Sequence, residues 1–183
     1  MMQRKSFTLI ELMVVIAIIA VLAAVVAPQV FKQVQKGRIA SVESFYNSVK
    51  IAATSYFSDT GTWIATCAGA ACNTNTPGFV TGPTGTNWDG PYLDRWPGAT
   101  GNPWAGAYNW DAPVGATANF GAAAAQERWI TIFLVPLTAA QRIDLDKDGA
   151  VSGTSGMVRR FPPAVWTATN TVRMLLSRDG AVN

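Results

Sequence analysis

The chain opens with a long apolar run. From residue 7 to residue 27 the only charged residue is Glu11. At 1.5 Å per residue, a helix of that length spans roughly 31 Å, which matches the hydrocarbon core of a bilayer. Arg4 and Lys5 directly precede the run, and basic residues of this kind mark the cytoplasmic side. The pattern predicts one membrane-spanning helix, with its N-terminus in the cytoplasm and the rest of the chain outside.

A second apolar pattern follows the first. Beyond Pro28, apolar side chains recur mostly at three- and four-residue steps, which is typical of an amphipathic helix that covers a globular domain. They belong to Phe31, Val34, Val42, Phe45, Val49, Ala53 and Tyr56. The segment Ser58–Gly61 is expected to end this helix, because glycine suits the left-handed conformation at a helix end. Proline lacks an N–H and collides with the carbonyl four residues back, so we expect a bend at Pro28.

The second half of the chain carries strand patterns. Residues 128–135 are rich in β-branched and aromatic side chains and end at a proline, as a buried strand does. Residues 138–141 fit a capping box with threonine as the N-cap, which predicts the start of a short helix. Residues 157–161 and 172–177 predict two further strands, whereas residues 62–127 read as a long folded connection. An antiparallel sheet packed on the long helix, an α+β fold, is expected.

The composition narrows the choice of function. A chain of 183 residues with 49% apolar content has room for one ordinary domain and an appendage. Its 14 Lys and Arg stand against 11 Asp and Glu, which is not the dense basic face of a nucleic-acid-binding protein. The sequence has no histidine, the usual general base near neutral pH. We therefore predict neither an enzyme nor a nucleic-acid partner.

The carboxylate of Glu11 is the feature of the apolar run that most needs a reason. A charged side chain inside a membrane costs about 2.5–3.5 kcal/mol on insertion scales, so it indicates a function and requires a partner. A secretory signal peptide cut near Ala27 is one interpretation, but Pro28 directly after the cut disfavours it. A plain signal anchor is another, and it leaves Glu11 unexplained.

The residues around Glu11 carry a family resemblance. The segment KSFTLIELMVVIAIIAVLA (residues 5–23) resembles the class III signal and N-terminal helix of type IV pilins and type II secretion pseudopilins. The resemblance implies that a prepilin peptidase cuts between Ser6 and Phe7 and methylates the new amine of Phe7. It also implies that Glu11 meets the Phe7 amine of a neighbouring subunit during assembly. Ser6 stands where the family has glycine.

The same resemblance predicts the organisation of the chain. It implies a leader peptide (1–6), a transmembrane and assembly helix (7–27), an amphipathic continuation (28–58) and an extracytoplasmic pilin domain (59–183). The two helical segments form one helix of about 50 residues. Pro28 matches a position where family helices carry proline, and the segment before it is often extended in family filaments.

A stretch in the middle of the chain also resembles the family. Residues 90–110 (GPYLDRWPGATGNPWAGAYNW) are similar to a part of many major pseudopilins in which a turn and an Asn-Pro-Trp segment precede a strand. Packing in the core and in turns is the expected role of the aromatic residues there, since glycine-rich loops need large side chains to bury them. A carbohydrate-binding platform is the alternative.

Two cysteines and no odd thiol occur in the chain. Outside the cytoplasm, Cys67 and Cys72 are expected to form a small loop-closing disulfide. Two free thiols in a cytosolic loop are the alternative.

Three closely spaced aspartates are the one candidate metal-binding pattern in the sequence. Asp144, Asp146 and Asp148, followed by Gly149, resemble the start of an EF-hand calcium loop, although its twelfth position is Ser155. Some pseudopilins bind calcium in a C-terminal loop, which favours calcium here. The alternative is a helix that continues through Asp144 and ends in an ordinary turn at Asp148–Gly149.

The family resemblance implies a structural function. The chain would be a pilin or major-type pseudopilin that polymerises into a type IV pilus-like or type II secretion filament. Its partners would be further copies of itself, the prepilin peptidase and the inner-membrane assembly platform. It would cross the inner membrane once before assembly and then lie in a periplasmic or cell-surface filament. A monomeric membrane-anchored module that binds calcium or glycan is the alternative, and an extracytoplasmic enzyme using the three aspartates as acids is a third.

Overall fold

A computed structural model describes residues 7–74, 78–82, 87–112, 127–152, 155–161, 169–178 and 181–182. Two helices, one 3-10 turn and six strands make up these residues. In chain order they are α1 (Leu9–Thr60), β1 (Cys67–Ala68), η1 (Gly69–Asn73), β2 (Tyr108–Asp111), β3 (Arg128–Pro136), α2 (Leu137–Asp148), β4 (Val158–Phe161), β5 (Thr169–Arg178) and β6 (Ala181–Val182). The chain divides after Arg38 into two compact units, Met1–Arg38 and Ile39–Asn183.

The described part of the first unit is the N-terminal half of α1. Every side chain from Phe7 to Arg38 is exposed. An 18-residue window of this helix has a mean hydropathy of 3.1, so by length and composition α1 is able to cross a membrane. The helix continues through Pro28. An apolar helix without a buried face requires lipid or other apolar helices around it.

The second unit contains the rest of α1, which does have a buried face. Its buried side chains recur at three- and four-residue steps: Ile39, Val42, Tyr46, Val49, Ala52, Ala53 and Tyr56. The amphipathic pattern is therefore confirmed from residue 42 onward. The helix ends at Thr60, and Gly61 at φ +69° donates its N–H to the Phe57 carbonyl at 2.9 Å. The expected stop and the expected helix length are both confirmed.

The strands form one antiparallel sheet of order β1-β2-β3-β5-β4, and β6 pairs with β5. The register places Ile130 of β3 between Trp110 of β2 and Met174 of β5. All three side chains are buried and belong to the same core as the buried face of α1. The predicted α+β fold, with a long helix against a small antiparallel sheet, is confirmed.

Two details of the sequence interpretation change. Strands β1 and β2 lie inside residues 62–127, for which the residue pattern alone predicts a connection, since both strands are too short to show a period of two. Strand β2 follows the Asn-Pro-Trp segment, after which the family resemblance implies a strand. Helix α2 is confirmed, but Thr138 is not its N-cap. Pro136 takes that position in an extended conformation (φ −60°, ψ 148°) and no side chain caps the helix. Proline has no N–H and disfavours a helical conformation in the residue before it, so the helix does not extend back through Pro136 and starts directly after it.

Aromatic side chains fill the core below the sheet. Trp96 and Trp110 are fully buried, and Phe79 packs on both, with ring centroids 5.3 and 5.1 Å away. Each indole N–H finds a backbone carbonyl at 3.0 Å, that of Tyr108 for Trp96 and that of Ile64 for Trp110. The predicted packing role of these rings is confirmed, since a buried ring offers no platform to a glycan.

A bulge in β3 is braced by one asparagine. The pairing of β3 with β5 shifts between Ile132 and Val135, and Leu134 in the bulge adopts φ +58°. The Asn102 side chain donates to the Phe133 carbonyl at 2.6 Å and accepts the N–H of Gly106 at 2.9 Å. A leucine in the left-handed backbone conformation is strained, and the hydrogen bonds around the bulge offset this strain.

One buried tyrosine ties α1 to the sheet and predicts a pH dependence. The Tyr46 hydroxyl donates to the Leu175 carbonyl of β5 at 2.6 Å. Burial raises the pKa of Tyr46 to about 12, and the negative charge of Asp148 adds to the shift. A tyrosine whose pKa is higher in the folded than in the unfolded state stabilises the fold. The stabilisation is fully present below the pKa of the unfolded state, about 10, and it is lost as the pH rises through the pKa of the folded state.

We therefore expect alkaline destabilisation that depends on Tyr46. Between about pH 10 and 12 the free energy of unfolding should fall by about 2–3 kcal/mol on account of this group. The Tyr46→Phe variant should lose roughly 1 kcal/mol at neutral pH, because the Leu175 carbonyl is left unpaired. Urea unfolding of the full chain in micelles measures both. Burial also raises the pKa of Tyr108, so alkaline pH affects the stability of the Tyr46→Phe variant as well. The test is therefore the difference in the free energy of unfolding between variant and wild type. If this difference does not change with pH, the destabilisation does not come from Tyr46.

Candidate assembly site at the start of the helix

The first turn of α1 is closed by a reciprocal capping box. The Thr8 N–H and the Thr8 hydroxyl both donate to Oε2 of Glu11, at 2.9 and 2.7 Å. In return the Glu11 N–H donates to the Thr8 hydroxyl at 3.4 Å. Since α1 begins at Leu9, Thr8 is the N-cap and Glu11 is the third helical residue, as the Thr-x-x-Glu spacing requires. The negative carboxylate also lies at the positive end of the helix dipole.

The capping box gives Glu11 a partner inside its own chain. Sequence reasoning assigned it only the amine of a neighbouring subunit, although the Thr8-Leu-Ile-Glu11 spacing was a sufficient signal for the local one. Both hydrogen bonds from Thr8 go to Oε2, and among the described residues Oε1 accepts none. The carboxylate is therefore held in place by one oxygen while the other is left to accept a second cation or donor.

The residues expected to be processed lie beside this box. Phe7 is 82% exposed, and Ser6 lies outside the described residues. Apolar side chains of α1 adjoin Glu11 on the same surface, and the hollow next to it is lined by Phe7, Ile10, Val14 and Val15. The carboxylate is thus the single anionic point on an apolar surface.

The aspartates predicted to bind calcium lie on α2, where two of them already have partners of their own. Asp144 is fully buried, and its Oδ2 accepts the Ser152 N–H at 2.8 Å. Asp146 forms an ion pair with Arg142 at 2.9 Å, one helical turn away. These two carboxylates serve the helix and the turn that follows it.

The third aspartate, Asp148, ends the helix. Its two carboxylate oxygens accept the N–H groups of Met157 and Val158, each at 2.9 Å. Gly149 follows at φ +73°, so the alternative of a helix-ending turn is confirmed. The described residues contain no group of three or more His, Cys, Asp or Glu side chains that could hold a metal ion. As placed, the three carboxylates do not fit one calcium ion, and calcium binding stays a prediction from the spacing alone.

The two cysteines are bonded in the structure. Cys67 and Cys72 are both buried, with Cα atoms 5.1 Å apart. Asn73, which follows directly, exchanges two hydrogen bonds with the backbone of Trp96: its side-chain amide donates to the carbonyl at 2.9 Å, and its side-chain oxygen accepts the N–H at 2.8 Å. The covalent loop therefore ends one residue before the asparagine that fixes Trp96.

Two family models match the chain. The prokaryotic N-terminal methylation motif matches residues 1–27, and the C-terminal domain of PilW matches residues 33–118. No solved structure matches it significantly.

Curated relatives include one secretion protein and two fimbrial proteins. The type II secretion system core protein G of Pseudomonas aeruginosa is 32% identical over 61% of this chain and 75% of its own length. The fimbrial protein EcpC of Eikenella corrodens is 40% identical over 39% of this chain, and a fimbrial protein of Neisseria meningitidis is 38% identical over 41%. The chain spans only 48% and 45% of the lengths of these two fimbrial proteins.

The fold, the apolar helix and these matches together define the class of the protein. The chain belongs to the family of type IV pilins and type II secretion pseudopilins. It is a pilin-like subunit, and the methylation motif with its apolar helix supports membrane anchoring.

The capping box makes a direct prediction about the helix start. Thr8→Val removes the hydroxyl that both donates to and accepts from Glu11, and such a loss costs about 1 kcal/mol, or roughly fivefold in local opening. Amide exchange at Glu11, whose N–H donates to the Thr8 hydroxyl, should accelerate accordingly in micelles. Thr54→Val is the matched control, because the Thr54 hydroxyl donates to the Lys50 carbonyl in mid-helix and caps nothing. Equal exchange in both variants would exclude the cap.

Proposed function

We propose that this chain polymerises through α1 into a type IV pilus-like or type II secretion filament. The observation that carries the proposal is the apolar surface of residues 7–27, which is exposed on all sides and carries a single charged group, the Glu11 carboxylate held at its start. Exposed apolar area on this scale needs a cover, either lipid or other apolar surface. Further copies of the same helix supply that cover once the subunit leaves the membrane.

The proposed assembly step centres on Glu11. Cleavage between Ser6 and Phe7 creates an ammonium group at Phe7, which methylation leaves charged. In apolar surroundings an ammonium and a carboxylate attract strongly, and each needs the other to offset its desolvation. Oε2 of Glu11 stays with Thr8 while Oε1 accepts the Phe7 ammonium of a neighbouring subunit. The capping box thereby orients the carboxylate before the neighbour arrives, and this contact sets the register of the two helices.

The remaining partners follow from the same proposal. A prepilin peptidase cuts the leader on the cytoplasmic side, and an inner-membrane assembly platform extracts the subunit from its single membrane span. Pro28 lies at the end of that span, where a missing helical hydrogen bond allows α1 to bend or extend during extraction. The finished filament is periplasmic or lies at the cell surface. A calcium- or glycan-binding module has less support, because the three aspartates have separate partners and the rings of Trp96 and Trp110 are buried.

The processing step predicts the mass and N-terminus of the mature protein. The chain isolated from membranes or from sheared filaments should begin at N-methylated Phe7, and it should lack residues 1–6. Intact-mass measurement and N-terminal peptide analysis test this. A retained leader, or a cut after Ala27, would contradict the proposed processing.

The assembly contact predicts the effect of one substitution. Glu11→Gln keeps the size and a hydrogen bond to Thr8 but removes the charge that attracts the Phe7 ammonium. We expect filaments in the sheared fraction to fall at least about tenfold, since a desolvated charge pair is worth more than about 1.4 kcal/mol, while the processed subunit accumulates in the membrane.

Glu43→Gln serves as the matched control for this substitution. Glu43 pairs with Lys147 at 3.7 Å in the second unit, so its variant should assemble normally. Undiminished filaments from Glu11→Gln would refute the proposed role of the carboxylate. Loss of filaments in both variants would show instead that assembly responds to any change of charge.

A further inference from the structure

Three cations follow the apolar run at its extracytoplasmic end. Lys32, Lys36 and Arg38 lie between Pro28 and the first buried residue, Ile39. The sequence contains no acidic residue between Glu11 and Glu43, so no carboxylate of this segment balances them. We call these three residues the basic collar.

The structure shows no partner for the basic collar among the residues that it describes. All three side chains are exposed, and within the described part of the chain none of them takes part in an ion pair or a hydrogen bond. Most described cations of the second unit differ in this respect. Arg142 and Lys147 form ion pairs with carboxylates, and Arg128 and Arg173 lie over tryptophan rings at 4.9 Å.

The position of the basic collar along α1 matches the depth of lipid headgroups. If the apolar run ends at Ala27, Lys32 lies roughly 8 Å and Lys36 roughly 14 Å beyond it along the helix axis. The headgroup layer extends roughly 5–8 Å past the hydrocarbon core. Side chains on a helix tilt toward its N-terminus, and lysine chains extend toward a polar boundary. Both lysines, four residues apart on one face, therefore reach back to the headgroups.

We propose that the basic collar binds the phosphates of anionic phospholipids in the extracytoplasmic leaflet while the unassembled subunit waits in the membrane. The inference rests on the membrane-anchored stage of the proposed function. Basic residues next to a span ordinarily favour the cytoplasmic side, so three of them on the other side oppose the proposed orientation unless a local anion compensates them. Headgroup phosphates provide that anion, and they hold α1 at a defined depth.

Lipid selectivity measured by electron spin resonance tests the proposal. The full chain is reconstituted in phosphatidylcholine vesicles, and spin-labelled phosphatidylglycerol is compared with spin-labelled phosphatidylcholine at the protein surface. Lys32→Gln/Lys36→Gln should lower the selectivity for phosphatidylglycerol by roughly twofold or more, since each cation near a headgroup layer contributes to anion attraction. Adding Arg38→Gln should lower it further. Arg4 and Lys5 contribute equally in every variant, so the difference reports on the basic collar.

Lys50→Gln/Arg95→Gln is the matched control, because it removes two positive charges from the second unit. Its selectivity should equal that of the wild type, and about 1 M salt, with a Debye length of about 3 Å, should abolish the difference between wild type and the collar variant. Equal selectivity in the collar and control variants would overturn the proposal, as would a wild type without preference for phosphatidylglycerol. The measurement uses unassembled chains, so its failure leaves the filament proposal intact, and failure of the Glu11 test leaves the lipid result intact.

Discussion

The structure depends on one constraint: a single helix must satisfy two different surroundings. From residue 39 onward α1 buries a narrow stripe against the sheet, and its other faces remain mostly polar or small. From residue 9 to residue 27 the helix is apolar on every side apart from Glu11, and it buries nothing within its own unit. The first segment is therefore stable only where lipid or another apolar surface covers it. The second segment contributes one side of the core of its own unit. The positions of Glu11, Pro28 and the basic collar are all set by this division.

Much of the fold could be predicted because its signals are local. The apolar run is marked by its length, the stripe from Val42 to Tyr56 by its helical period and β3 by its branched and aromatic residues, and Gly61 marks the end of α1. Strand β2 gives no such signal, since four residues with Asn109 and Asp111 among them form a strand only through pairing with β3. Pro136 likewise decides the start of α2, because a proline keeps the residue before it out of the helical conformation, and this overrides the capping pattern two residues later.

The candidate site shows the same limit of local reasoning. The charge of Glu11 in an apolar run was sufficient to mark it as functional, whereas its bond to Thr8 required attention to a spacing of three residues. The aspartates of α2 show the reverse case. Their alternating pattern suggested a common ion, but helical geometry sends Asp144, Asp146 and Asp148 to three different partners. A ligand pattern in sequence is informative only once the backbone conformation beneath it is known.

The disulfide links the chemistry of the compartment to the packing of the core. Cys72 precedes Asn73, whose side chain fixes the backbone of Trp96, 23 residues further along the chain. In a reduced chain the segment 67–73 loses its covalent closure, and the entropy of the freed loop then opposes both hydrogen bonds to Trp96. Thiol oxidation therefore adds to the stability of the hydrogen bonds that fix the backbone of Trp96. Reduction of this one disulfide would in this way be felt in the aromatic core, through a single asparagine.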